Sequence, residues 1–107
     1  MFKLRHKYGA KPTTIEGIRY DSKKEAAYAG KLELLKKSGE LLFYLRQVPV
    51  HLPGNIIYRI DFLEFWAPKG DSQGDVIFTD VKGFMTPVSK IKIAQAEEIL
   101  GVKINIV

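Results

Sequence analysis

Residues 56–84 read IIYRIDFLEFWAPKGDSQGDVIFTDVKGF. Two runs rich in aromatic and β-branched residues, at 56–66 and 76–84, flank a polar loop that contains Gly70 and Gly74. Runs of this composition on either side of a glycine-containing loop are typical of the two strands of a β-hairpin. The stretch therefore predicts a pair of adjacent antiparallel strands in the second half of the chain.

Local signals predict a helix before these strands. Ser22 is a good N-cap, and Glu25 follows it by three residues. Apolar residues then recur at helical spacing until Gly39, which is a natural left-handed cap. Before this helix, residues 15–20 are expected to form a short strand or an extended lead-in.

The remaining elements complete an α/β domain. Thr86 followed by Pro87 has the form of a helix start, and this second helix is expected to end at Gly101. Further strands are expected at 41–50 and 102–107. The order is then helix, strand, strand, strand, helix, strand, which predicts a central mixed β-sheet flanked by α-helices.

The second helix also has a predicted packing face. Ile91, Ala94 and Glu98 fall on one side of it, with Ile99 nearby. Apolar residues at this spacing normally face a core. We therefore expect this side of the helix to pack against the domain.

Length and composition suit one compact domain, because the chain has 107 residues and 46% of them are apolar. No run approaches the roughly 18 apolar residues of a membrane span, and no apolar stretch follows the basic N-terminal residues as a secretory signal requires. The absence of cysteine excludes disulfides, thiol catalysis and cysteine-ligated zinc. We expect a cytoplasmic protein with no membrane partner, consisting of a basic arm at 1–14 and a single domain at 15–107.

The charge of the chain favours a polyanionic partner. The formal net charge is +5 and the sequence pI is about 9.5. Residues 1–15 and residues 81–96 each contain basic side chains and no acid. Solvated surface lysines would give the same pattern, so the charge alone leaves both explanations open. The candidate phosphate contacts are Lys3, Arg5, Lys7, Lys11, Lys23, Lys24, Lys90 and Lys92.

Three charged residues on the predicted hairpin suggest a chemical site. Asp80 and Lys82 are two residues apart on one strand, so their side chains share a face. Folding the hairpin about a loop centred near Gly70 brings Asp61 beside Asp80, roughly 5 Å apart at Cβ if both lie on one face. Two carboxylates this close repel each other unless a cation lies between them. Mg²⁺ is the obvious candidate, since it often takes only one or two protein carboxylates.

Lys82 and Glu25 fit the same chemistry. The Lys82 ammonium could orient the attacking water, help to deprotonate it, or stabilise charge on a phosphate. Glu25 could supply another oxygen, directly or through a water. Each residue also has a structural explanation: an exposed ion pair of Asp80 with Lys82, an Asp61 satisfied by backbone amides, and a capping box of Glu25 with Ser22. Their order and spacing together favour a site.

A helix with Glu, a strand with Asp, a hairpin and then Asp-x-Lys is an order that resembles the PD-(D/E)XK nuclease superfamily. Residues 20–26 (YDSKKEA) resemble the first helix of small phage and prophage members, residues 80–84 (DVKGF) their second motif, and residues 8–11 (YGAK) their N-terminal arm. Two positions depart from the pattern. Ile60 stands where the family has a proline before the first Asp, and Asp80 stands where Glu is more usual.

The resemblance is closest to phage-type Holliday junction resolvases, and it implies a restriction-endonuclease-like core and a Mg²⁺-dependent endodeoxyribonuclease, with Mn²⁺ as a substitute. It implies that Glu25, Asp61, Asp80 and Lys82 are catalytic and that Asp61, Asp80 and Glu25 are metal ligands. It further implies a homodimer, a four-way DNA junction as substrate, and a bacterial host cell if the protein is phage or prophage encoded. Two alternatives stay open: an endonuclease on linear duplex, flap or single-stranded DNA, and a non-catalytic DNA-binding protein on a nuclease-like scaffold.

Overall fold

The computed structural model describes residues 12–107. The first elements are two short strands, β1 (Thr13–Ile15) and β2 (Ile18–Tyr20), which pair as an antiparallel hairpin. The expected single strand or lead-in at 15–20 therefore contains the end of β1, the turn and β2, and β1 begins at Thr13, within the segment assigned to the basic arm. Four of the candidate phosphate contacts lie outside the described residues, namely Lys3, Arg5, Lys7 and Lys11.

The main body follows the predicted succession of elements. After the hairpin come α1 (Lys23–Ser38), β3 (Leu41–Leu52), β4 (Ile56–Trp66), β5 (Val76–Asp80), α2 (Pro87–Leu100) and β6 (Asn105–Ile106). The four strands form one sheet in the order β3-β4-β5-β6. Neighbours are antiparallel from β3 to β5, whereas β5 and β6 are parallel. The prediction of an α/β domain with a mixed sheet is thus confirmed.

The ends of α1 are set by the residues that the sequence indicates. The Ser22 hydroxyl accepts a hydrogen bond from the Glu25 backbone N–H at 3.0 Å, which satisfies one of the free donors of the first turn. At the other end Gly39 adopts φ +85° and donates its N–H to the carbonyls of Leu35 and Lys36. Glycine is favoured there because side chains make this conformation costly.

The long β3–β4 hairpin carries two apolar cores along its length. Near its turn, Val50, Leu52, Tyr58 and Ile60 pack with Ile93, Ala96 and Ile104 in a cluster that we call the α2 core. Near its base, Leu41 and Phe62 pack with Tyr20, Ala26, Ala29 and Leu32 in a cluster that we call the α1 core. The middle of the hairpin, where Gln47 and Asp61 lie, falls between the two cores.

The predicted packing face of α2 is wrong. Ile93 and Ala96 are the buried residues of this helix, whereas Ile91 is 60% exposed and Ala94 and Glu98 are also exposed. The helix has apolar residues on several sides, so its periodicity does not single out the face that meets the sheet. Within residues 12–107, no helix has the length and apolar character needed to cross a membrane.

Candidate active site

The register of β4 and β5 brings the two predicted aspartates together. Phe62 is paired with Thr79 in the antiparallel ladder, so the next position along the two strands places Asp61 opposite Asp80. Asp80 is the last residue of β5 and is 1% exposed. Its carbonyl accepts a hydrogen bond from the Val107 N–H, because the chain end runs parallel beside it. The acidic pair is therefore held by backbone pairing on both sides of β5.

The Asp61 carboxyl is held by two donors and lies against another acid. Its Oδ2 accepts a hydrogen bond from the Val81 backbone N–H at 2.8 Å, and its Oδ1 accepts one from Gln47 Nε2 at 3.1 Å. Burial raises the pKa of Asp61 to about 9, and the contact with the Asp80 carboxyl adds to the rise, whereas the Val81 N–H opposes it. The pair thus resists carrying two negative charges in the absence of a cation.

The Asp80 carboxyl accepts a hydrogen bond from a tyrosine hydroxyl and forms an ion pair with a lysine. The Tyr58 hydroxyl donates a hydrogen bond to Asp80 Oδ2, and Lys82 Nζ lies 3.1 Å from the same oxygen. Burial, and then the hydrogen bond to Asp80, raise the pKa of Tyr58 above its usual range, so this phenol stays protonated as a donor. The Lys82 side chain is 24% exposed. The Lys82 ammonium therefore lies between the buried Asp80 carboxylate and solvent.

Glu25 reaches the site through an intermediary. The side chain is 2% exposed, and its Oε1 accepts a hydrogen bond from the Asp21 backbone N–H at 2.7 Å. Its Oε2 accepts a second hydrogen bond from Gln47 Nε2 at 2.8 Å. Because the same nitrogen also donates to Asp61, the Gln47 amide connects the helix carboxylate to the strand carboxylate. The structure thus brings together Glu25, Gln47, Asp61, Asp80 and Lys82.

Gln47 precedes the Asp61 strand, so the sequence allows it to reach the site but does not indicate what it contacts there. It lies in the interior of β3, and its backbone has φ +53°, which is unusual for a residue that is not glycine. A strand pattern predicts neither this conformation nor the contact with a helix. The sequence signal is a polar side chain, next to Arg46, in a largely apolar run.

The candidate phosphate-binding lysines divide into two groups. Lys24 Nζ donates a hydrogen bond to the Lys82 carbonyl at 2.9 Å, so this side chain lies beside the acidic pair. Lys23 and Lys90 are exposed and Lys92 is half-buried. Of the described candidate lysines, Lys24 is therefore the one with a direct contact to Lys82.

The carboxylates fit a small binding site and not a closed metal cage. Within residues 12–107, no group of three or more Asp, Glu or His side chains is arranged to hold a metal ion. Asp61 and Asp80 remain as a contacting pair, and Glu25 is joined to them through the Gln47 amide. Two carboxylates with water in the remaining positions are sufficient for Mg²⁺. The residues present therefore fit one hard divalent cation.

Comparison with known proteins gives a family without an assigned activity. A family model described as "Protein of unknown function (DUF1064)" matches residues 5–98. The chain belongs to this family. Searches of curated proteins and of solved structures give no match. All five residues of the site of this DUF1064 protein lie within the matched segment.

Proposed function

We propose that this DUF1064 protein is a metal-dependent DNA endonuclease that hydrolyses phosphodiester bonds, and that its substrates are branched DNA such as a four-way junction. The observation that carries the proposal is the contact between the Asp61 and Asp80 carboxyls in a largely buried site beside Lys82. Strongly shifted acids that face a specific charged partner are a feature of catalytic sites.

A purely structural role explains the acidic pair poorly. A buried carboxylate costs stability unless it is paired, and two carboxylates in contact increase that cost. The Val81 N–H, the Gln47 amide, the Tyr58 hydroxyl and Lys82 compensate in part. A divalent cation would compensate more fully, because it attracts both charges at once. The arrangement is therefore best understood as a site that binds a cation.

Asp61 and Asp80 are the residues that would hold Mg²⁺, with Glu25 as a further oxygen donor. A bound Mg²⁺ would lower the pKa of the attacking water and balance charge on the phosphate. Lys82 is fixed by Asp80, so its ammonium is positioned to stabilise the negative charge that develops during hydrolysis. Glu25 keeps spare acceptor capacity, since each carboxylate oxygen can accept more than one hydrogen bond.

The surroundings of the site favour a phosphodiester substrate. Lys24 lies next to Lys82, and the whole chain carries a formal net charge of +5. Positive charge that surrounds a small acidic site is suited to a polyanion whose cleavage requires a metal. Lysines contact phosphates and do not distinguish bases, so recognition of DNA shape fits this surface better than recognition of sequence.

The arrangement of the site agrees with what the resemblance implies. Asp61 lies on β4, Asp80 is the last residue of β5 and Lys82 follows it by two residues, and Glu25 lies in the preceding helix. These positions support a restriction-endonuclease-like core as part of the proposal. The homodimer and the four-way junction come from the resemblance alone, and the experiment below separates the junction from other DNA substrates.

Cleavage of labelled DNA tests the proposal. Purified protein is incubated with a four-way junction and with a linear duplex of matched sequence, each in Mg²⁺ or in chelator. We expect Mg²⁺-dependent cutting that is faster on the junction. Equal rates on both DNAs would reject the junction as the preferred substrate, and Mg²⁺-dependent cutting of neither would reject the nuclease. DNA binding without any cutting would favour a non-catalytic scaffold.

Two substitutions locate the chemistry. Asp61→Asn and Lys82→Ala should each slow cutting by about 100-fold or more, because each removes charge that acts on the reacting phosphate or its cation. Both variants should still bind the junction, since most of the basic surface is unchanged. Asp71→Asn and Lys103→Ala are matched controls at exposed positions. Cutting by Asp61→Asn at the wild-type rate would remove the acidic pair from the mechanism.

A further inference from the structure

Gln47 lies directly between two acids. The pairs Arg46 with Phe62 and Val48 with Ile60 flank it in the β3–β4 ladder, which places it opposite Asp61. Its Nε2 donates one hydrogen bond to Glu25 Oε2 at 2.8 Å and one to Asp61 Oδ1 at 3.1 Å. An amide nitrogen has two N–H groups, so this one atom can serve both carboxylates.

The backbone of Gln47 is held in a costly conformation. A positive φ at a non-glycine residue inside a strand is costly, and such strain persists only where the surroundings enforce it. Here φ is +53°. The contacts that accompany the strain are those of the side chain to Glu25 and Asp61. The strained backbone and the placement of the amide therefore belong to one arrangement.

The position between Glu25 and Asp61 accepts a donor or a cation. An oxygen that can only accept hydrogen bonds would be repelled there by both carboxylates, whereas an N–H or O–H donor is attracted. The amide nitrogen supplies two donors without a charge, so it satisfies the acids and occupies the place where a cation could bridge them. On the other side of Asp61, toward β5, the described donor is the Val81 backbone N–H, and no side-chain amide donates there among the described contacts.

We propose that Gln47 is a positioning residue that fixes Asp61 for one divalent cation shared with Asp80, and that its amide prevents a second cation from binding between Glu25 and Asp61. This inference rests on the proposed function, because it presumes that the acidic pair holds a cation. It assigns to the protein a single-ion site and names the residue that limits the number of ions.

Binding of Mn²⁺ to the full chain, measured by calorimetry, tests the inference without DNA. The wild type should bind one Mn²⁺. Gln47→Glu places a third carboxylate between Glu25 and Asp61, so this variant should bind two. Gln73→Glu makes the same chemical change at an exposed loop position and should bind one, like the wild type.

Two smaller substitutions separate the side chain from the backbone. Gln47→Ala removes the amide and keeps the strained conformation, whereas Gln47→Gly removes the amide and relieves the strain. If the amide positions Asp61, both variants should bind Mn²⁺ about 10- to 100-fold more weakly, as is usual when a partner of a metal ligand is lost. Gln47→Gly is compatible with φ +53°, so it provides the measurement if Gln47→Ala does not fold.

The results distinguish this inference from the proposed nuclease. Two Mn²⁺ ions in the wild type, one in Gln47→Glu, or wild-type affinity in Gln47→Gly would each overturn the role of Gln47. A wild type that binds one Mn²⁺ but cuts no DNA would reject the nuclease while leaving the role of Gln47 intact. A wild type that binds no Mn²⁺ would overturn both.

Discussion

The protonation of the Asp61 carboxyl depends on effects that act in opposite directions, namely burial, hydrogen bonds and a neighbouring acid. Two donors, the Val81 N–H and the Gln47 amide, favour its ionised form. Burial and the neighbouring Asp80 favour its protonated form and prevail, because they raise the pKa of Asp61 to about 9. Without a cation, the residue is thus held as an acid that keeps its proton near neutral pH.

This balance predicts how stability depends on pH in chelator. Folded Asp61 keeps a proton that the unfolded chain releases above its ordinary pKa of 3.8, so the free energy of unfolding falls as pH rises from there to about 9. Asp61→Asn cannot titrate and removes this slope. The melting temperature of the variant minus that of the wild type should therefore increase between about pH 5 and about pH 8. A difference that is constant with pH would contradict the raised pKa.

The sequence predicts the acidic pair better than its surroundings. Alternation along a strand and the centre of one loop are enough to place Asp61 opposite Asp80. The donors around them cannot be obtained in this way. Tyr58 is three residues from Asp61 and reads as a core aromatic, yet its hydroxyl contacts Asp80. Gln47 contacts Glu25 only because β3 packs against α1, and local sequence patterns do not predict that tertiary contact.

At the scale of elements, the sequence predicts the helix ends at which a particular residue type caps the helix. The Ser22 cap, the Gly39 and Gly101 caps and the Thr86–Pro87 helix start all lie where expected. The sequence does not predict the β1–β2 hairpin, because its turn residues, Glu16 and Gly17, both have positive φ and glutamate is not a usual signal for such a turn. It does not predict the packed face of α2 either, because the position of that face depends on tertiary contacts.

Substitutions on α2 can verify which face packs. Ala96 is fully buried in the α2 core, so Ala96→Leu adds volume where the structure has no space and should destabilise the protein by about 1–3 kcal/mol. Ala94 is exposed two residues away on the same helix, so Ala94→Leu should change stability by less than about 0.5 kcal/mol. Urea unfolding gives both values. Equal effects at the two positions would contradict the orientation of the helix.

At the scale of the whole molecule, the basic residues that contact phosphates should determine how DNA binding responds to salt. Each phosphate contact that is lost lowers the slope of log affinity against log salt by about 0.9 on duplex DNA. Neutralising the arm residues to glutamine should therefore weaken junction binding and make it less salt-dependent; these residues are Lys3, Arg5, Lys7 and Lys11. Fluorescence anisotropy with Asp61→Asn as the background measures binding without cutting.

The control for the arm changes the same amount of charge elsewhere. Four exposed lysines distant in sequence from the arm can be neutralised together, namely Lys31, Lys37, Lys69 and Lys103. If the arm contacts the phosphate backbone, this control should have the smaller effect on the slope. An equal loss in both variants would mean that binding depends on total charge and not on the arm.

Asp61 is flanked along β4 by Ile60, which belongs to the α2 core, and by Phe62, which belongs to the α1 core. The Asp61 carboxyl is therefore connected through its strand to both halves of the domain, although it belongs to neither core. A random screen for inactive variants should recover changes in each half that never touch the carboxyls, because loosening either side shifts the strand on which Asp61 is carried.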